Sequence, residues 1–457
     1  MVGIWLFCLV LRFWKITQFN TLVFDEVYYA QFARNYLTRT TFFNAHPPLS
    51  QYIIAIGIWL GSYLPSSPEN INDLTGSPLS TFSYRWINAF IGSFLPLLIG
   101  AIAYQLSRKV SYTVIATILA ALDGLLLVES RYALNNIYLV LFGLLGHLFF
   151  LISLRNYNLK RWSYLTLSGI FLGCCVGIKW NGLAYLVGII LLWIIVKIWT
   201  PIKDEISEIS QKLQAEKLAP IHPLINLGQL KIYQLIMVII VIPLATYRLI
   251  WIPHLNMNPR YDFWEMQRQI LTYHQGISSG PEVHPYCSNW YSWPILWRPI
   301  GYFYGTVNEG QYIYDVHALG NPLLWWFSGL AILVLSLLII QVIVTDRPIK
   351  FKHLSQLAHL LTIIYLVVNY FVNLLPWMLV TRCTFIYHYM PSLIFAILAL
   401  TWILNRWFEG TNNLLKHSGV MIILLIIFAF IFWLPIYLGL PLSVKDFDLR
   451  MIMPNWI

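Results

Sequence analysis

Stretches such as Trp86–Leu106, Gly182–Trp199 and Val420–Leu440 carry almost no charge over the length a helix needs to cross a bilayer. This limits the fold more than any motif does. A hydrocarbon core of ~30 Å takes about 20 apolar residues in a helix. Inside lipid every backbone polar group needs an internal partner, which leaves helices and closed barrels. Continuous apolar runs lack the in–out alternation of barrel strands. The chain therefore reads as an all-α polytopic membrane protein. Composition agrees: of 457 residues, 58% are hydrophobic and 11% charged, about half the charged share of a soluble domain.

Hydropathy gives about eleven spans, at roughly 1–14, 86–106, 113–128, 137–154, 163–178, 182–199, 232–252, 323–344, 356–375, 386–404 and 419–439. Met1–Trp14 is expected to be a short first span rather than a cleavable leader. With the N-terminus inside, the short inner loops carry Arg108 and Lys109, then Arg155, Lys160 and Arg161. Later ones carry Arg347, Lys350 and Lys352, then Arg406 and Lys416. This is the positive-inside pattern. The segment 200–231 alternates charge at Lys203, Asp204, Glu205, Glu208, Lys212, Glu216 and Lys217, as a solvated inner connector would. The expected organisation is a membrane module at 1–252 containing a first outer loop at 15–85, a second outer loop at 253–322, and a C-terminal membrane module at 323–457.

Polarity collects in those two outer loops, so the chemistry is sought there. A transporter with this many spans would show repeated halves and broken helices at the midplane. The net charge of +10 is scattered along the membrane loops; with no basic patch interleaved with aromatics, nucleic acid is not an expected partner. Cys8, Cys174 and Cys175 lie in apolar runs as plain buried residues. No metal-type spacing occurs, and a Cys287–Cys383 disulfide is one open pairing.

After Asp25, the positions Tyr29, Phe32, Ala33, Tyr36 and Leu37 recur at helical spacing. Pro47 and Pro48 break the chain. Leu49, Ile53, Ile56, Leu60 and Tyr63 then form a second stripe, and both helices suit the membrane interface. Asp25 and Glu26 open the first helix. Carboxylates there serve as caps, and one fixed at a helix start is also placed to act as a general base on a hydroxyl.

Arg12, Arg85, Arg131, Lys179 and Arg382 fall near the outer ends of spans. Each reads singly as a snorkelling anchor; together they could supply the cations that a lipid phosphate needs. Asp123, inside an apolar run, either pairs with a cation or belongs to the site. His46 either caps the turn at Pro47 or joins the site. His284, Trp290, Trp293 and Trp297 suit an aromatic belt or stacking on a sugar or peptide. His388 either faces phosphate or fills a helix interface.

The strings LRFWKI, FDEVYYAQFA and HPPLSQ, then Arg85, LDGLLLVESRY and GIKWNGL, resemble in order the protein O-mannosyltransferase family of the GT-C superfamily. HPYCSNWYSWPILWRP, GNPLLWW and TRCTFIYHYMP resemble its bacterial branch, so the likeness extends over most of the chain. The second outer loop, 253–322, is too short for the soluble MIR domain of eukaryotic members. The resemblance implies a GT-C fold and transfer of mannose from a polyprenyl (dolichyl-type) phosphate to Ser or Thr hydroxyls of secreted or membrane proteins. It implies an inverting single displacement without a nucleotide sugar; since no His or carboxylate cluster demands a metal, no metal or other cofactor is expected.

In that scheme Asp25 is the base and Glu26 orients acceptor or sugar, while Arg12, Arg85, Arg131 and Arg382 hold the donor phosphate. His46, Asp123, Lys179, Trp180, His284, Trp293 and His388 contact sugar or acceptor. The partners are polyprenyl-phosphate mannose, an acceptor polypeptide met at the secretion translocon, and membrane lipid. The location is the plasma membrane with an extracytoplasmic site. One departure stands out: after the Ser130–Arg131 pair, where the family has an Asp, this chain has Asn136. Sister GT-C enzymes with another sugar, or with a lipid or glycan acceptor, share these motifs and form the alternative.

Overall fold

The computed structural model describes residues 1–199, 222–344 and 354–456, with 202, 206–209 and 211 of the stretch between. Most of the charged connector expected at 200–231, and Arg347, Lys350 and Lys352, lie outside the described residues.

The N-terminal half runs α1 (Val2–Phe13), α2 (Glu26–Thr38), α3 (Leu49–Gly61), a two-stranded ribbon of β1 (Ile71–Asn72) and β2 (Leu79–Ser80), α4 (Thr81–Ser93), α5 (Leu95–Ser107), α6 (Val110–Ala121), α7 (Gly124–Glu129), α8 (Asn136–Leu154), α9 (Asn158–Val176), α10 (Leu183–Ile198) and α11 (Ile232–Met257). There follow α12 (Phe263–Gln275), β3 (Ile300–Val307), β4 (Tyr312–Ala318), α13 (Pro322–Val344), α14 (Leu354–Leu374), α15 (Met390–Glu409), α16 (Asn413–Leu438), β5 (Pro441–Ser443) and α17 (Val444–Asp448).

Among the described residues eight helices are long and apolar enough to cross a membrane, and the shorter α1, α3 and α6 are also apolar. The span expected at 113–128 is not one helix. Asp123 adopts extended backbone and its Oδ1 accepts from Leu126 N at 2.8 Å, which ends α6 and starts α7. The span expected from 86 begins earlier, at Thr81, because Ser80 Oγ caps it by accepting from Ser83 N at 3.1 Å. Such a cap satisfies one of the orphan amides of the first turn.

A small sheet departs from the all-helical expectation. β3 pairs with β4, and β4 with β5, all antiparallel. The register runs Gly301↔His317 and then Phe303↔Val316, so Tyr302 is an extra, bulged residue. A bulge kinks the strand and re-aims a side chain. Here it aims Tyr302 at Glu129, whose Oε1 accepts from the Tyr302 hydroxyl.

Two further ties position the site. Cys287 and Cys383 form a disulfide, Cα–Cα 5.2 Å, pinning the second loop to the segment that precedes α15. Gly188 of α10 meets α14 so closely that an added Cβ would lie 2.1 Å from Asn369 Oδ1. Only a residue without a side chain permits that approach.

Candidate active site

Asp25 stands at the junction of the first loop, the sheet and the segment before α15. The preceding residue, Phe24, holds φ +50°, a left-handed conformation that a bulky residue adopts only when its surroundings enforce it. The enforcement is aromatic. The Phe24 ring stacks on Tyr302 at 4.6 Å and meets His284, Phe385 and Tyr387 edge-on at 6.1–6.3 Å. Asp25 occupies the N-cap position of α2, yet its side chain makes no capping hydrogen bond. Its carboxylate is therefore not committed to the helix. Asp25 keeps partial exposure, but the surrounding protein strips enough water to push its carboxyl up to about 6, with the charge of Lys179 pulling the other way.

Glu26 is engaged elsewhere. Its Oε1 accepts from Arg85 Nε at 2.9 Å and Ala133 N at 2.8 Å, and its Oε2 from Arg85 Nη2 at 2.7 Å and Val23 N at 2.8 Å. Arg85 also donates to the carbonyls of Ile16, Phe19 and Thr21. Both side chains are fully buried. Their hydrogen-bonding capacity is consumed inside the protein, so Glu26 orienting a substrate and Arg85 holding a phosphate both give way to a structural brace.

Two more of the four expected phosphate ligands, Arg131 and Arg12, are buried at 3% and 1% exposure and turn inward. Arg131 Nη1 donates to the carbonyls of Leu11, Arg12 and Trp14, closing the C-terminal end of α1 where cations are favoured. Arg12 is 1% exposed and donates to Cys8 O. Asp123 is likewise structural, since its Oδ2 accepts from Trp325 Nε1 at 2.6 Å. Trp293, 1% exposed, is no sugar platform. It donates to Ser288 Oγ and lies parallel to the His388 ring, 5.9 Å away.

The remaining residues converge. A groove of about 900 Å³ is lined at one end by His46, Lys179, Trp180, His274, Arg382 and His388. Its other end is apolar: Leu183, Val187 and Leu191 of α10 face Val367, Val368 and Phe371 of α14. None of its lining residues is Asp or Glu. His46 and His274 lie 5.1 Å apart, and burial holds both well below the usual imidazole range, His274 at about 4. At neutral pH the cations of the polar end are thus Lys179 and Arg382. His274 Nδ1 and Asn373 Oδ1, from two lining residues, have no protein partner, a condition that usually signals a ligand or water.

His284 lies outside the groove, in the aromatic cluster around Phe24. Among the described residues no group of three or more His, Cys, Asp or Glu side chains gathers as a metal site. Sequence reasoning overlooked His274, Tyr302, Tyr387 and Glu129. Of these only Glu129 carried a signal, as a carboxylate in an apolar run. Its Oε2 accepts from Asn136 Nδ2 at 3.0 Å, and Asn136 Oδ1 accepts from Lys179 Nζ at 2.8 Å.

A family model described as dolichyl-phosphate-mannose-protein mannosyltransferase matches residues 2–257. A second, described as the C-terminal four TMM region of protein-O-mannosyltransferase, matches 259–456. The chain is 23% identical over 525 aligned positions to the polyprenol-phosphate-mannose–protein mannosyltransferase of Corynebacterium glutamicum, covering 98% of this chain and 92% of that one. It is 31% identical over 186 residues to human protein O-mannosyl-transferase 1, which takes up 38% of this chain. The match spans 24% of the length of the mouse, rat and human relatives. In fold it is similar to the S. cerevisiae protein O-mannosyltransferase Pmt1-Pmt2 complex bound to the sugar donor, with a TM-score of 0.81 at 15% identity, covering 100% of this chain and 92% of that one. The Archaeoglobus fulgidus oligosaccharyltransferase gives 0.53 at 13% identity, over 97% of this chain and 53% of that one. With models matched along nearly its whole length, the chain belongs to the dolichyl-phosphate-mannose-protein mannosyltransferase family.

Proposed function

We propose that the chain transfers mannose from polyprenyl-phosphate mannose to Ser or Thr hydroxyls of polypeptides at the extracytoplasmic face of the cell membrane. The observation that carries this reading is the groove. Leu183, Val187 and Leu191 extend it for about 12 Å along α10 at 1.5 Å per residue, a slot for a lipid tail. It ends at Lys179 and Arg382, a place for phosphate. The names of the bacterial relatives support the donor and the acceptor class. The Cys287–Cys383 disulfide supports the outer side, since such bonds persist in oxidising compartments.

In the proposed reaction Asp25 takes the proton of the acceptor hydroxyl as its oxygen bonds to the anomeric carbon. The bond from that carbon to the phosphate oxygen breaks on the opposite face, which inverts the configuration. The transition state resembles an oxocarbenium ion, as in glycosidic chemistry generally. Lys179 and Arg382 stabilise the charge gathering on the departing phosphate. Arg382 thus takes the role first divided among four arginines, and His46, Trp180, His274 and His388 are the proposed sugar contacts. The lipid-linked sugar is a substrate, and neither metal nor other cofactor is assigned. An acceptor still unfolded at the secretion translocon would present its hydroxyls most readily.

Membranes holding the protein, given radiolabelled polyprenyl-phosphate mannose and a Ser/Thr-rich peptide, should label the peptide. Label appearing only on lipid or glycan would instead identify a sister transferase.

A further inference from the structure

Lys179 is the only cation of the groove whose nitrogen is hydrogen-bonded to a side chain that itself reaches a carboxylate among the described residues. The link is neutral: Lys179 Nζ donates to Asn136 Oδ1 at 2.8 Å, and Asn136 Nδ2 donates to Glu129 Oε2 at 3.0 Å. An amide suits this position because it accepts on one side and donates on the other. Glu129 is 0% exposed, and its second oxygen accepts from Tyr302, the residue aimed there by the β3 bulge. A carboxylate at position 136 would meet Lys179 directly, since the Asn136 Oδ1 already lies 2.8 Å from its Nζ.

We infer that Glu129 is a positioning residue that holds Lys179 in the site through Asn136, supplying from one link away the negative charge that position 136 lacks. The inference rests on the reading of Lys179 and Asp25 as parts of the transfer site. A buried ammonium without a counter-charge tends to lose its proton. Burial does draw Lys179 down to about 8, while Asp25 and Glu129 hold it up and Arg382 draws it further down. Around its nitrogen lie Asp25, Glu129 through Asn136, the Tyr387 ring at 5.1 Å, Arg382, His46, His274 and His388. Of these only Asp25 and Glu129 are carboxylates, and Asp25 must change its own charge during turnover. Burial raises the Glu129 carboxyl to about 7, with the Tyr302 and Asn136 hydrogen bonds and the charge of Lys179 holding it down; in its ionised form it favours the charged form of Lys179.

The experiment moves the charge and follows transfer against pH in the full-length protein in lipid. Glu129→Gln keeps the shape but removes the charge. It is expected to slow transfer roughly ten- to hundredfold, the scale of one charge-assisted hydrogen bond, and to draw the alkaline limb of the profile toward neutrality. The double variant Glu129→Gln/Asn136→Asp returns a carboxylate directly beside Lys179. It should recover the rate to within about threefold and move the alkaline limb back up, which a merely structural role for Glu129 would not produce.

A double variant as slow as the single one, or a single variant at wild-type rate, would overturn the inference. If Glu129→Gln does not accumulate as a monodisperse protein, the double variant still decides: folded and active supports the charge role, misfolded or inactive ends it. Asp25→Asn run alongside separates the two readings, because its full activity would remove the base while leaving the charge-swap result to stand on its own.

Discussion

Arg85 closes on Glu26 with its Nε and Nη2, at 2.9 and 2.7 Å, and uses its other donors on three carbonyls of the first loop. This pair ties the start of α2 to α4. Removing one partner strands a buried charge, at a cost of about 3–5 kcal/mol. Arg85→Ala should therefore sharply lower the melting temperature in detergent, and Arg85→Ala/Glu26→Ala should be less damaged than Arg85→Ala alone. Normal stability with selective loss of donor use would return Arg85 to the phosphate.

Arg382 and Arg12 should behave oppositely. Arg382 lines the groove and its described hydrogen bond is to the neighbouring Cys383 carbonyl. Arg382→Ala is expected to raise the KM for polyprenyl-phosphate mannose about tenfold or more, at the scale of a lost charge-assisted contact, with little change in melting temperature. Arg12 is buried beside Cys8, so Arg12→Ala should destabilise the fold and leave the KM of surviving enzyme near normal.

The Cys287–Cys383 bond closes a loop of sequence separation 96 that holds Arg382 and His388 against the second loop. Cys287→Ser/Cys383→Ser should lose about 2–4 kcal/mol of stability. In the native protein a maleimide should label these two positions only after reduction. Labelling without reduction would show that the bond does not form.

How much of this was legible beforehand varied with the physics involved. The apolar stripes of α2 and α3 were visible because helix periodicity is a local property, and Asp25 stood out as a carboxylate at a helix start. The fates of Arg12, Arg85 and Arg131 were not legible. Arg85 and Arg131 donate to carbonyls of other segments, and Arg12 is buried under neighbouring helices, arrangements that only the folded chain brings about. The break at Asp123 was missed because hydropathy averages over a capping residue. β3 and β4 were missed because their apolar and polar residues mix within a polar loop, and β5 because three residues after α16 carry no pattern. Glu129 was passed over as one polar letter in LDGLLLVESRY, although its surroundings made it costly and therefore informative.

The activity profile should have an acid limb near pH 6, where Asp25 gains the proton that stops it acting as a base, and an alkaline limb near pH 8 from Lys179. Stability should move the other way across the acid limb. The native Asp25 carboxyl binds its proton more tightly than in the unfolded chain, where it titrates at 3.8. Between those values the native state holds more protons, so this group's contribution to stability falls as pH rises from about 4 to about 6. A melting temperature that tracks activity upward through that window in wild type, with no difference from Asp25→Asn, would contradict the assignment.

The most direct test of the account is transfer by Asp25→Asn. The Asp25 side chain makes no cap, and its ionised form is held at a desolvation cost. Asn should therefore leave the melting temperature unchanged or slightly raised, and donor binding largely intact. Loss of a positioned base typically slows a reaction ~10²–10⁴-fold, and a fall of that size in the rate of mannose transfer to a Ser/Thr peptide is the predicted result. Transfer by Asp25→Asn at near wild-type rate would contradict the account at its centre.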